Sequence, residues 1–166
     1  KDLMKIALIS DIHDNLVNLD LFFKLIALEN IEKIICCGDV CNLETLGQLS
    51  SNFPGEIFLV YGNAEIYQPE DVSQFQNITF LKRFGHFEIN DLKIGVCHEP
   101  AFFRNLFALE NDLNYIFYGH THKPWMSVKN KAKLINPGTL GGVFIKPSFA
   151  IFDTANQKIK LKLIHQ

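Results

Sequence analysis

Lys5-Ile6-Ala7-Leu8-Ile9-Ser10-Asp11-Ile12-His13 is an apolar run that ends abruptly in a hydroxyl, a carboxylate and an imidazole. Working outward from it, Leu16 to Glu29 reads as a helix, Lys33 to Cys37 as a strand, Leu43 to Ser51 as a helix and Glu56 to Tyr61 as a strand. That β-α-β-α-β order predicts a parallel sheet with crossover helices. In the first helix Leu19, Phe22, Phe23 and Ile26 fall at i, i+3, i+4 and i+7, the stripe that packs a helix on a sheet.

The second half changes character. Phe87 to Ile89 and Leu92 to Cys97 flank an Asn90-Asp91 turn, and a helix is expected from about Ala101 to Glu110, with Pro100 at its first position and Glu99 as its cap. Tyr115 to Tyr118, Trp125 to Val128, Lys133 to Asn136, Phe149 to Asp153 and Lys158 to Ile164 then read as strands, mostly linked as hairpins. Two packed sheets with helices outside are expected. Lys158, Lys160 and Lys162 alternate with apolar residues, the pattern of an edge strand guarded by cations rather than of a nucleic-acid face.

The 166 residues suffice for one hydrophobic core without staples. Sixteen Lys and Arg against eighteen Asp and Glu leave a net charge of -2, so no bulk field recruits duplex nucleic acid or anionic lipid. No apolar run approaches the ~20 residues of a membrane span. Cys36, Cys37, Cys41 and Cys97 have poor spacing for disulfides or a zinc knuckle, so reduced thiols and a cytoplasmic location are expected. Met4-Lys5-Ile6-Ala7 looks like a natural start, which makes Lys1, Asp2 and Leu3 an extension without assigned function.

Chemistry gathers where the apolar runs stop: Asp11 and His13, Asp39 after Gly38, Asn63 after Gly62, His98, and His120 and His122 after Gly119. In such sheets the carboxyl ends of neighbouring strands form the ligand-binding rim. Four of the six histidines stand there, while His86 and His165 do not. Imidazole nitrogens mixed with carboxylate and amide oxygens suit Mn, Fe, Zn, Co or Ni. Seven donors exceed one tetrahedral ion and match two ions with open positions. Asp39 is the candidate bridge, since a carboxylate can join cations about 3.5 to 4 Å apart. Two divalent ions, less two carboxylates and a hydroxide, leave a centre of about +1 that attracts a phosphate ester.

Asp11-x-His13, Gly38-Asp39, Gly62-Asn63, His98 and Gly119-His120-x-His122, in this order over essentially the full length, resemble the motifs of calcineurin-like metallophosphoesterases. Gly119-His120-Thr121-His122-Lys123-Pro124 and Asn136-Pro137-Gly138-Thr139 are most similar to the small single-domain phosphodiesterase branch, which also resembles a eukaryotic retromer subunit. The resemblance implies an α/β fold over 1–166, a four-layer α/β/β/α sandwich of two mixed β-sheets flanked by helices. It implies that Asp11, His13 and His122 hold one metal and Asn63, His98 and His120 the other, with Asp39 shared. Asp39, Asn63 and His98 would surround a metal-activated hydroxide that attacks a small phosphodiester in line, without an enzyme-bound phosphate. Two divalent transition-metal ions are the expected cofactors, Mn2+ first, with Ni2+, Zn2+, Fe2+ or Co2+ as alternatives.

The chain departs from the larger family at Ala64, where a histidine often follows Gly-Asn to assist the leaving group. A methyl group donates no proton, which biases the reaction toward acidic leaving groups. Glu65 is expected to orient the groups around it, and Asn15 either meets a phosphate oxygen or caps the first helix. Asp14 and Glu99 replace glycines and add charge, read here as loop adaptation. Asn42-Leu43 stands where phosphoprotein phosphatases carry Asp-Arg, so the phosphate clamp of that class is lost. Trp125, Phe102, Phe103 and Phe107 are candidates for a pocket wall, with core packing as the commoner fate. The competing functions are a binding scaffold on the same fold, favoured by Ala64 and the added carboxylates, and a mononuclear regulator, which leaves several donors unused.

Overall fold

All of Ile6, Ala7, Leu8 and Ile9 are buried, although alternate residues of a strand point to opposite faces. This is the signature of a strand covered on both sides. In the computed structural model, which describes residues 4–165, β1 (Lys5–Ile9) pairs in parallel with β2 (Ile31–Cys36) and β2 with β3 (Glu56–Leu59), linked by α1 (Leu16–Ile26) and α2 (Leu43–Ser51). A 3-10 helix, Pro69–Gln74, leads to β4 (Ile78–Phe80), parallel to β3. The extension expected over residues 1–3 lies outside the described residues.

The chain then builds a second sheet from β5 (Phe84–Ile89), β6 (Leu92–Cys97), β7 (Tyr115–Phe117), β8 (Trp125–Lys129) and β9 (Ala132–Asn136), in the order β5-β6-β7-β9-β8. Between β6 and β7 a 3-10 turn, Pro100–Phe102, runs into α3 (Phe103–Leu109). Pro100 does stand at the start, but the Glu99 side chain makes no capping bond. β10 (Ser148–Asp153) and β11 (Lys158–Leu163) return to the first sheet, whose order is β11-β10-β1-β2-β3-β4.

Both sheets are mixed, and three apolar layers separate the four layers of the sandwich. Ile6, Leu8, Ile35, Phe58 and Val60 meet Ile94, Val96, Phe117 and Ile135 between the sheets. Ala7, Ile9, Ile34 and Leu59 face Leu19, Phe22, Leu46 and Leu49 of the first two helices. Leu106 of α3 packs on Ile116 and Leu134 beneath the second sheet.

The hairpin pattern expected of the second half holds for β5-β6, β8-β9 and β10-β11, but β6, β7 and β9 are mutually parallel. The crossover through α3 makes β6-β7 parallel, and β9 reaches β7 because β8 lies outside it. β11 is an edge strand with Lys158 and Lys160 exposed, while Lys162 reaches Glu29 at 2.7 Å. All four cysteines are free.

Phe152 ties the layers together, its ring 4.8 Å from that of Tyr115 and 5.7 Å from that of Phe117 across the inter-sheet core. Phe152→Ala is expected to destabilise the protein by about 3–5 kcal/mol. At roughly 2–4 °C per kcal/mol, a thermal melt should fall by about 10 °C.

Candidate metal centre

The parallel strands set the site by ending together. The Asp11 N–H donates to the Gly38 carbonyl at 2.9 Å and the His13 N–H to the Asp39 carbonyl at 3.0 Å, so the loops after β1 and β2 run side by side. From the second sheet, the Gly119 N–H donates to the His98 carbonyl at 3.0 Å and the His120 N–H to Asp11 Oδ2 at 3.1 Å. Asn136 holds the loop between β7 and β8, its amide donating to the Gly119 carbonyl at 2.7 Å and to Thr121 Oγ1 at 3.0 Å. Thr139 donates its hydroxyl to the Asp11 carbonyl at 2.9 Å.

These loops are tight enough to force unusual backbone. Asp11, His13, Asp39, His120 and His122 all have positive φ, between 47° and 68°. Non-glycine residues adopt this conformation at a cost, and such outliers gather at functional sites. Gly62 is required for a different reason: a Cβ there would lie 2.1 Å from Asp39 Oδ1.

The seven sequence-predicted donors converge in two sets. In one, Asp11 Oδ1 lies 3.1 Å from His122 Nε2 and 3.7 Å from His13 Nε2, and the two imidazole nitrogens are 3.1 Å apart. In the other, Asn63 Oδ1 lies 3.0 Å from His98 Nε2 and 2.7 Å from His120 Nδ1. Asp39 Oδ2 stands between the sets, 3.2 Å from His98 Nε2 and 3.8 Å from His13 Nε2. Its other oxygen accepts from the Ala64 N–H at 2.8 Å.

The ring orientations identify which lone pairs face inward. His98 Nδ1 meets the Cys37 carbonyl at 2.7 Å and His122 Nδ1 the Val143 carbonyl at 3.3 Å, so these nitrogens carry the protons and Nε2 presents its lone pair to the centre. His13 Nδ1 lies against Cys41 Sγ at 3.5 Å. Asp11 Oδ1, fully buried, has no hydrogen-bond partner among the described residues. Two nitrogens bound to one tetrahedral ion stand about 3.3 Å apart. An orphan carboxylate oxygen beside two converging imidazole nitrogens therefore fits a cation. Asp11 with His13 and His122, and Asp11 with Asp39 and His98, each place their donor atoms within 4.8 Å of one another.

The carboxylates also tune the imidazoles. The Asp11 carboxylate is the main cause that raises the His13 pKa, with burial opposing it and Asp39 adding to it. For His98 burial is the largest single influence and works against the charged form, but Asp39 and Asp11 together outweigh it and the pKa rises. Burial likewise opposes the charge on Asp39, yet His98 and the Ala64 N–H hold its pKa below the usual carboxylate value.

Glu65 bridges two of the loops. Its carboxylate accepts from the N–H groups of Cys41 at 2.6 Å, Val40 at 3.2 Å and Gly62 at 3.2 Å, joining the Asp39 loop to the Asn63 loop. Burial raises its pKa despite these donors. Asn15 caps α1: its Oδ1 accepts from the Asn18 N–H at 3.0 Å while its amide donates to the Gly141 carbonyl at 2.9 Å, leaving one amide hydrogen. Asp14 is turned to α2, accepting from the Asn42 N–H at 2.9 Å, the Thr45 hydroxyl at 2.6 Å and the Asn42 amide. Phe102, Phe103 and Phe107 pack under the second sheet, and Trp125 is on edge strand β8. Asn136 and Thr139 are supports that pattern reading missed as such; buried polar residues just after a strand were the available signal.

Residues 4–157 match the calcineurin-like phosphoesterase superfamily domain, and the chain belongs to that superfamily. Among curated relatives, phosphodiesterase MJ0936 of Methanocaldococcus jannaschii is 28% identical over 162 residues, which cover 95% of this chain and 97% of that protein. Among solved structures, an archaeal phosphodiesterase superposes with a TM-score of 0.85 at 27% identity, over 96% of this chain and 99% of its own. The phosphoesterase YfcE of E. coli gives 0.69 at 21% identity, over 98% and 100% of the two chains. Vacuolar protein sorting 29 of Cryptosporidium parvum gives 0.68 at 21%, over 98% and 97%, a likeness of fold.

Glu65→Gln places an amide NH2 where three N–H groups need acceptors and is expected to cost roughly 1–3 kcal/mol, read as a lowered melting temperature. A pH series gives a second check. Raised pKa values for His13 and His98 mean that the metal-free fold binds more protons than the unfolded chain, so its stability falls as pH rises from 6.5 through the folded-state pKa values. Metal binding must displace those protons, so Mn2+ or Zn2+ affinity measured by calorimetry should drop about tenfold or more between about pH 8 and pH 6.

Proposed function

We propose that this protein is a metal-dependent hydrolase of small phosphodiesters. The observation that carries the reading is the position of Asp39 Oδ2 between His98 and His13, one nitrogen from each donor set. In this reading Asp11, His13 and His122 hold one divalent ion and Asn63, His98 and His120 the other, with Asp39 common to both. The mixed nitrogen and oxygen donors suit Mn2+ first, then Ni2+, Zn2+, Fe2+ or Co2+. When bound, the ions would supply water activation and neutralise charge developing on the phosphoryl oxygens.

The protein's own groups do the rest. Asp39 and Asn63 are held by the Ala64 and His98 contacts, so their oxygens would be in place before a substrate arrives. Exposed Asn63 and His120 leave the centre open on one side for a substrate. Burial pushes the thiol of Cys41, which lies against His13, up to about 12. The remaining amide hydrogen of Asn15 is a candidate donor to a phosphate oxygen. Ala64 brings no proton to the leaving group, which favours esters of acidic alcohols and phenols. Four free thiols, three of them buried, support a reducing, cytoplasmic setting. No helix of the described residues is long and apolar enough to cross a membrane.

The family membership and the name of the relative at 97% coverage support the same reaction class. The test is turnover of bis(p-nitrophenyl) phosphate against p-nitrophenyl phosphate with Mn2+, Ni2+ or Zn2+ supplied. The diester should be hydrolysed, and Asp39→Ala should lower kcat/KM by about 100-fold or more. Elemental analysis of the active protein should return two ions per chain. Metal-replete protein that turns over no diester would leave the scaffold reading in its place.

A further inference from the structure

A second feature opens on the same rim. A cavity of about 460 Å3, within the range of small-molecule sites, is lined by Tyr61, Pro69, Glu70, Phe80, Lys82 and Arg83. Its place follows from strand register. β4 is parallel to β3, with Leu59 opposite Phe80, and the Tyr61 N–H continues the pairing by donating to the Lys82 carbonyl at 2.7 Å. Lys82 therefore lies beside the residue that precedes Gly62-Asn63. On the other side, Arg83 immediately precedes β5, whose first residue, Phe84, is opposite Cys97 at the end of β6. The cavity thus lies at the carboxyl ends of β3 and β4, with Tyr61 two positions before Asn63.

Its chemistry is specific. The Tyr61 and Phe80 rings stand at 64° with centroids 6.3 Å apart, and the Tyr61 hydroxyl is pinned by donating to the Tyr67 carbonyl. Lys82 has φ +60, an unusual conformation for a long side chain, at the turn that delivers two successive cations to the wall. Neither Lys82 nor Arg83 makes an ion pair among the described residues, and Glu70 is the one acid in the lining. The lining carries a net positive charge in a protein whose overall charge is -2.

We propose that this cavity receives an aromatic group bearing negative charge, the class to which nucleoside phosphates belong, and that it selects one ester arm of the substrate. Its link to catalysis rests on the diester-hydrolase reading above. A plain aryl group would leave the two cations unused, and inorganic phosphate would leave the two rings unused. Tyr61 and Phe80 supply stacking and edge contacts to a ring. Lys82 and Arg83 supply charge-assisted hydrogen bonds to the anion.

The test is calorimetric binding to the metal-loaded full chain with adenosine 5′-monophosphate, adenosine and ribose 5-phosphate as probes. The monophosphate should bind about tenfold tighter than either fragment, the size of one charge-assisted contact or one good ring contact. A Lys82→Gln/Arg83→Gln variant with unchanged melting temperature should lose about tenfold on the monophosphate and little on adenosine. Phe80→Leu should erase its advantage over ribose 5-phosphate. The monophosphate should also inhibit diester turnover competitively. Equal binding of all three probes, or a double variant that binds the monophosphate as well as the parent, overturns the cavity assignment; noncompetitive inhibition overturns its role in the substrate site. Diester turnover together with failed probe binding sinks this inference alone, whereas probe binding without any diester turnover sinks the hydrolase reading and leaves the cavity as a binding site.

Discussion

One carboxylate oxygen organises this molecule. Asp39 Oδ2 can face nitrogens from both sheets only because Asp39 Oδ1 is held by the Ala64 N–H and because residue 62 has no side chain to displace it. Gly38 adds to the constraint, since a Cβ there would lie 2.9 Å from the Gly62 nitrogen and 3.0 Å from His98 Nδ1. The loops after β2 and β3 are therefore packed backbone to backbone, with the His98 ring against Gly38. Glu65 closes that contact by accepting from N–H groups of both the Asp39 and Asn63 loops.

This explains why the donors sit in strained conformations. A left-handed residue reverses the chain over a short distance, which brings Asp11 and His13 both to face the centre although they are separated by one position. Isolated loops would relax. Here the hydrogen bonds from the Asp11 and His13 N–H groups to the Gly38 and Asp39 carbonyls, and from the Gly141 N–H to the Asp11 carbonyl, hold them. The strain is local, and the cores formed by β1 with both its faces covered carry it.

How much of this was legible in the sequence depended on whether a feature was local. Apolar runs closed by Asp11, Asp39, Asn63 and His98 marked the strand ends directly, because both the strand and its terminating donor lie within a few residues. The return of β10 and β11 to the first sheet was not legible, since Phe149 to Asp153 is equally apolar against either sheet and only the pairing of Ala7 with Ile151 decides it. β4 spans three residues, too short for a period. Asp14 was readable as a charge near the donors but not as the acceptor for Asn42 and Thr45, because those partners stand at the start of α2, distant along the chain. Arg83 had no local signal at all; its place in the cavity wall is set by the link between β4 and β5.

Ala64 brings these levels together. A histidine at this position would carry a proton donor to the leaving group, but the backbone N–H here already serves Asp39, so the position keeps its structural task with any residue except proline. The methyl group removes acid catalysis and makes no other demand on the site. An ester whose leaving group already carries its charge well loses least from that change. In the proposed cavity, Lys82 and Arg83 would stabilise anionic groups by position rather than by proton transfer. Charge placed by fixed cations and charge neutralised by a donated proton are alternative ways to lower the same barrier, and this chain has the residues for the first.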